Sequence, residues 1–176
     1  MRALIASLAL ALAACGQTSA PPEPAAESAT APVVAEPVGE PMSAGLMGGY
    51  STSASGDVAA MTPSADQLAF INADGEETFA VSTQFLGVVA PTTLIAAGGE
   101  SFAAAAPSAN ASRVELRRIT STAPERLCGG MTATYVAIVS SEPLTALQLM
   151  VFTGADAPGP EARDSAICAI NAYAVD

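Results

Sequence analysis

Three residue types are missing from this chain: lysine, histidine and tryptophan. Without histidine the chain cannot form a Ser-His-Asp or Cys-His catalytic set, and a histidine-ligated metal site is excluded as well. Six basic residues, all of them arginine, stand against 17 acidic ones, which gives a formal net charge of −11. So acidic a chain is not expected to bind nucleic acid through a basic surface. No cofactor and no metal are predicted.

Bulky apolar residues are fewer than the hydrophobic content of 51% suggests, since alanine alone supplies 40 of the 176 residues. Aromatic residues make up 5% of the chain. Paired carboxylates can in principle perform acid–base chemistry on sugars, but no pair is marked out by its position in the sequence. An enzyme is therefore not the expected function, and a carboxylate-dependent hydrolase is the less favoured alternative.

The first residues have the pattern of an export signal. Met1 and Arg2 form a short positive start, and an unbroken apolar run follows over residues 3–14. This pattern is typical of a secretory signal peptide, and the run is too short to span a bilayer, which needs about 20 apolar residues. At its end, Leu12-Ala13-Ala14-Cys15 resembles the lipobox of bacterial lipoproteins.

The lipobox resemblance implies a lipid anchor and a location. In that family the signal, here residues 1–14, is removed, and the cysteine, here Cys15, receives a diacylglyceryl group and usually a further acyl chain such as palmitate. Two or more chains hold a protein stably on a membrane. The residue after the cysteine is Gly16 rather than aspartate. By resemblance to enterobacterial sorting, this favours the periplasmic face of the outer membrane over the inner membrane.

Residues 15–47 have the composition of a tether. Between positions 16 and 47 there are six prolines, four glutamates and no basic residue. Few bulky apolar residues are present to offset the entropy of ordering the segment, so it is predicted to be disordered, with some polyproline II character. A solvated spacer is the expected role, and recognition of a proline motif by a partner is the alternative.

Residues 48–176 are long enough for one small domain, and their patterning is mainly β. We expect a single antiparallel sandwich or a partly closed barrel with one short helix. The helix is predicted at 101–106, where Ser101 can cap it and Pro107 can end it. The predicted strands are a hairpin of 67–72 and 78–81, one or two strands within 85–95, and strands at 113–120, 132–140, 145–152 and 166–175.

Two cysteines remain once Cys15 is assigned to lipid. Cys128 and Cys168 form an even pair in a compartment that is expected to be oxidising, so a disulfide is predicted. Two cysteines without histidine make a poor metal site, and no Cys-x-x-Cys spacing is present.

Arginine is concentrated in one part of the chain. Arg113, Arg117, Arg118 and Arg126 lie within fourteen positions of an otherwise acidic sequence. One interpretation is a face that binds the phosphate or carboxylate of an anionic envelope component. The other is a solvated strand face whose arginines pair with local acids such as Glu115.

A second resemblance suggests another role. The segment Ser53-Ala54-Ser55-Gly56 resembles the serine–glycine loop of membrane-bound lysozyme inhibitors, which are small β-barrel lipoproteins with a disulfide. The sequence as a whole thus predicts a membrane-anchored envelope lipoprotein with a non-catalytic binding or structural role. An inhibitor-type binder of a lytic enzyme is the alternative. The expected partners are the membrane, through the lipid, and an envelope protein or anionic envelope component.

Overall fold

In a computed structural model of the chain, the residues described are 37–45, 47–49, 59–72, 74–121 and 124–174. They belong to one compact unit, Ala35–Asp176. The signal peptide, Cys15 and the segment Ser53–Gly56 lie outside the described residues. Nothing in the described part of the chain is a helix of the length and apolar character that crossing a membrane requires.

The described unit is an antiparallel β-barrel, so the prediction of a mainly β domain is confirmed. Each strand pairs with its sequence neighbours, and the last strand pairs with the first, which closes the sheet. Of the two predicted architectures, the barrel is the one observed. The strands are β1 Met47–Gly49, β2 Ala60–Pro63, β3 Gln67–Ile71, β4 Glu77–Val89, β5 Arg113–Ile119, β6 Tyr135–Ser140, β7 Ala146–Thr153 and β8 Ala166–Ala174.

The barrel interior is filled mainly by apolar side chains that alternate along the strands. Strand alternation places every second residue on this face. Phe70 of β3 stacks on Phe79 of β4, with ring centroids 4.8 Å apart, which confirms the predicted hairpin. Tyr173 of β8 is fully buried where β8 meets β1, and burial raises the pKa of its hydroxyl. The buried members of this core include Met47, Met61, Leu68, Phe70, Val81, Val136, Ile138, Leu147, Leu149, Val151 and Tyr173.

A second apolar core lies on the outer face of β5, β6 and β7. A covering segment, residues 90–112, packs there through Ile95 and Phe102, and Phe102 meets the ring of Phe152 edge-on. The predicted helix lies in this segment as α1 Phe102–Ala105, and the Ser101 hydroxyl accepts the Ala104 N–H, as expected for an N-cap. Because β6 is covered on both faces, all six of its residues are buried.

The part of β4 beyond Thr83 has no partner in β3, and residues 37–45 lie beside it. We call this segment the strap. Val38 O accepts the Val88 N–H at 2.8 Å, and Ala44 N–H donates to Pro63 O at 3.0 Å. The strap therefore reaches from β4 to the end of β2. The composition predicts a tether up to residue 47, but residues 37–45 bond to β4 and β2 and the expected boundary at residue 48 falls inside β1. The compact unit therefore begins earlier than the composition indicates.

Candidate functional site

The four arginines predicted to share an anion-binding face are separated by the fold. Arg117 is fully buried in the barrel interior, and Arg118, its neighbour on β5, lies exposed on the opposite face. Arg126 lies on a 3-10 turn, Pro124–Cys128, with its guanidinium 5.5 Å from the centre of the Phe79 ring. The expectation of one exposed face is corrected here, because successive residues of a strand point to opposite sides and the Arg113–Arg117 side faces inward.

Arg117 is the centre of a buried hydrogen-bond network. Its Nε donates to Glu115 Oε1 at 2.5 Å, and both side chains have zero exposure. Its Nη1 donates to Ser64 O at 2.5 Å and to Thr83 Oγ1 at 3.3 Å. Its Nη2 donates to Met42 O at 2.9 Å. One guanidinium therefore joins β5, β4, the β2–β3 turn and the strap.

Both carboxylate oxygens of Glu115 also have hydrogen-bond partners. Besides the bond from Arg117, its Oε2 accepts the Met42 N–H at 2.7 Å and an Arg113 Nη2 hydrogen bond at 3.2 Å. Arg113 Nη2 also donates to the carbonyl oxygen of Glu40 in the strap. Charge-assisted hydrogen bonds are about twice as strong as neutral ones, which suits a carboxylate removed from water. We infer that Glu115 is committed to structure, since three N–H groups occupy its oxygens.

The main chain of Met42 is held at both its N–H and its carbonyl by one ion pair. Its N–H donates to Glu115 and its carbonyl accepts from Arg117. Both contacts use main-chain atoms, so no residue type in the strap signals them. Removing one partner of a buried ion pair costs roughly 3–5 kcal/mol, because the other charge is left buried without compensation. Charge reversal at Arg117 would consequently test folding rather than anion binding.

A hollow of about 420 Å³ lies between the strap and the β6–β7 hairpin. Arg113, a third exposed, forms part of its wall together with Ser140, and its Nε atom is buried without a hydrogen-bond partner among the described residues. The strap contributes Glu40 and the hairpin contributes Glu142. The hollow thus mixes one partly neutralised guanidinium with two acidic residues.

Two further hollows adjoin on the outer surface and share Arg118, Tyr135 and Ala155. The first, of about 290 Å³, is lined with hydroxyl-bearing residues, and we call it the hydroxyl hollow. The second, of about 350 Å³, includes Asp156 and Glu161, and we call it the acidic hollow. Arg118 lies with its guanidinium 5.5 Å from the centre of the Tyr135 ring, at the boundary between the two.

The acidic hollow is bordered by a loop that holds its own carboxylates. Asp156 Oδ2 accepts the N–H groups of Arg163 at 2.9 Å and Asp164 at 3.0 Å. These N–H groups hold the pKa of Asp156 below its ordinary value. Asp164 in turn accepts the Ala155 N–H at 2.9 Å. The two carboxylates brace the loop between β7 and β8.

Cys128 and Cys168 lie at disulfide distance, with Cα atoms 5.3 Å apart, as the cysteine count predicts. Cys128 ends the 3-10 turn Pro124–Cys128 and Cys168 belongs to β8. The pair therefore links the chain entering β6 to the final strand. Within the described part of the chain, no group of three or more cysteine, aspartate or glutamate side chains is arranged to hold a metal ion.

Sequence reasoning identified Arg113, Arg117 and Arg118 as functional candidates but not the strap that two of them bind. Strand alternation puts Arg113, Glu115 and Arg117 on one face of β5, and both arginines contact Glu115 there. Opposite charges two residues apart on one strand are the sequence signal for a buried pair. The sequence alone, however, does not show which face of the strand lies inside the barrel. Comparisons with models of protein families, with curated proteins and with solved structures find no match for this chain.

Proposed function

We propose that this protein is a lipid-anchored bacterial envelope protein whose barrel has a non-catalytic binding or structural role. The observation that carries the proposal is the division of the three cysteines. Cys128 and Cys168 lie at disulfide distance in the barrel, and the remaining cysteine of the sequence, Cys15, ends the apolar run in the motif Leu12-Ala13-Ala14-Cys15. A disulfide pair suits an oxidising compartment, and the motif suits lipid attachment at its edge.

The non-catalytic part of the proposal is supported by how the interior charges are used. Glu115 and Arg117 are fully buried and saturated by hydrogen bonds to each other and to the strap. A fully buried carboxylate with three N–H partners holds the strap to β5 and is out of reach of a substrate. The rest of the interior is mainly apolar. We place the protein on the periplasmic face of the outer membrane, with an envelope protein or an anionic envelope component as its partner.

The lipid anchor is tested by growing cells that express the full chain with labelled palmitate. We expect label on the wild-type protein, and membrane association that detergent releases. The Cys15→Ser variant should carry no label and should remain as the uncleaved precursor. The Cys128→Ala/Cys168→Ala variant should be labelled like the wild type. Label that persists in Cys15→Ser, or its absence from the wild type, contradicts the proposal. Separation of the inner and outer membranes then tests the location.

A further inference from the structure

We propose that the hydroxyl hollow beside β5 binds a small oxyanion, with Arg118 as the principal ligand. This site goes beyond the proposed function and does not depend on the lipid anchor. Arg118 is exposed, and it has no salt bridge to any carboxylate in the described part of the chain. By contrast, Arg113 and Arg117 on the same strand are both tied to Glu115.

Arg118 is held in position without being neutralised. Its guanidinium lies 5.5 Å from the Tyr135 ring centre, and its Nη2 donates to the Tyr135 hydroxyl at 3.3 Å. That hydroxyl donates in turn to Ala155 O at 3.0 Å, so Tyr135 is fixed to the loop between β7 and β8. A guanidinium has five N–H donors, and this arrangement uses one of them. The others remain to receive the forked oxygens of a phosphate or carboxylate.

The neighbouring side chains favour an anion in the hydroxyl hollow. Ser121, Thr132 and Thr134 line it, and none of the nine described residues that form its wall carries a carboxylate. The Ser121 hydroxyl is buried and has no hydrogen-bond partner among the residues that the structure describes. An oxyanion would supply the acceptor that this hydroxyl lacks, and rotation about a single bond would direct the proton to it.

The carboxylates of the acidic hollow do not pair with Arg118 in place of an anion. Asp156 directs Oδ2 to two main-chain N–H groups of its own loop, and Glu161 has no ion pair with Arg118. Their charge instead sets the selectivity of the site. A compact oxyanion with one or two charges fits the hydroxyl hollow, while a polyanion that extends across Ala155 would meet Asp156 and Glu161 and be repelled.

The binding experiment uses the full chain purified in mild detergent and observed by amide NMR at constant ionic strength. Inorganic phosphate and acetate are titrated separately, so that the two arms distinguish a phosphate ligand from a carboxylate ligand. We expect saturable shifts at Ser121 and at residues 132–135 with at least one of them. Absence of a saturable shift with both anions overturns the proposal.

Matched arginine variants then test which side chain binds the anion. Loss of a charged hydrogen-bond donor costs about 1.5–3 kcal/mol, so Arg118→Gln should weaken binding about tenfold or more. Ser121→Ala should weaken it by roughly threefold to tenfold for the loss of a neutral donor. Arg126→Gln is the control, because Arg126 also lies 5.5 Å from an aromatic ring centre but outside the hollow. Equal weakening in Arg118→Gln and Arg126→Gln would show a general charge effect and overturn the site.

The Arg118→Lys variant distinguishes the contribution of the forked N–H donors to binding from that of the positive charge. Lysine keeps the positive charge but presents a single ammonium group instead of a planar fork. We expect its affinity to lie between those of the wild type and Arg118→Gln. The urea midpoint of each variant is measured in parallel, so that weakened binding in a folded protein is assigned to the site. Wild-type affinity in Arg118→Gln would contradict the proposal whatever the result for lysine.

Discussion

Arg117 and Glu115, two positions apart on β5, pair inside the barrel with Nε and Oε1 2.5 Å apart, and together they hold the peptide of Met42 from both sides. The charged pair thereby fixes the strap to the barrel. Its partners come from β4, the β2–β3 turn and the strap, which are far apart in the sequence. A buried pair of this kind is not by itself strong evidence of stability, but breaking one side of it is costly.

Arg117→Met should lower the free energy of unfolding by roughly 3–5 kcal/mol, because Glu115 loses its buried cation and keeps only the partly exposed Arg113. Glu115→Gln/Arg117→Met should cost less than the sum of the two single variants, since the double variant removes both charges together. Urea unfolding followed by circular dichroism measures these differences. Arg126→Gln is the control and should lose no more than about 1 kcal/mol, the value of an exposed cation–π contact. Additive costs in the double variant would contradict a coupled pair.

Gly39→Ala should loosen the strap. Gly39 has a φ of 90°, and a Cβ there would lie 2.9 Å from Val88 Cγ2. The left-handed conformation costs a non-glycine residue about 1–2 kcal/mol, so we expect hydrogen exchange of the Val88 amide, which donates to Val38 O, to accelerate about tenfold. Gly45→Ala is the matched control, since a Cβ at that position meets nothing within 4 Å. Equal acceleration in both variants would contradict the role of Gly39.

Removal of the cysteine pair should destabilise the barrel. The bridged residues are 40 apart in sequence, for which the chain-entropy model gives about 4 kcal/mol. Cys128→Ala/Cys168→Ala should show this loss in urea unfolding, and reductant should lower the wild-type midpoint without affecting the variant. Mass spectrometry after alkylation under non-reducing conditions should find neither thiol modified. Two alkylated thiols in the wild type would contradict the bridge.

Asp156→Asn should destabilise the loop between β7 and β8 in a pH-dependent way. The N–H groups of Arg163 and Asp164 hold the pKa of Asp156 below its ordinary value of 3.8, so its ionised form stabilises the folded state. That stabilisation is complete above the ordinary pKa and is lost as the pH falls through the lower folded value. The unfolding midpoints of wild type and variant should therefore differ at pH 7 and converge in strong acid. Asp74→Asn, in the β3–β4 turn, is the control. A difference that persists unchanged in acid would contradict the assignment.

Local patterns predicted most of the strands and the helix because their determinants are close in sequence. Ser101 ahead of an alanine run, and the alternation that brings Phe70 opposite Phe79, are examples. The exceptions are β1 and β2, which are not among the predicted strands, and β4, which is one strand over Glu77–Val89 where separate strands at 78–81 and within 85–95 were expected. In addition, β6 starts at Tyr135 rather than at Thr132. The predicted pairing of Cys128 with Cys168 needed only an even count and an expected compartment.

The candidate site was less accessible to sequence reasoning. Alternation shows that Arg113 and Arg117 share a face but leaves open whether that face is inside or outside. Charged residues suggest that the face lies outside. Arg117 can be buried because the folded barrel and the strap bring hydrogen-bond acceptors to its guanidinium. The proline-rich composition of the strap indicates a solvated spacer. Its hydrogen bonds to Glu115 and Arg117 are made by main-chain atoms, which composition does not reveal, and only Met42 adds a side chain to the core.

The two main-chain hydrogen bonds of Met42 restrict which sequence changes the strap can accept. Substitutions along the strap that keep an apolar residue at position 42 leave the two hydrogen bonds intact, whereas inserting or deleting one residue between Gly39 and Ala44 would move a different peptide between Glu115 and Arg117. Among homologues, we expect this stretch to vary in residue identity while its length stays constant.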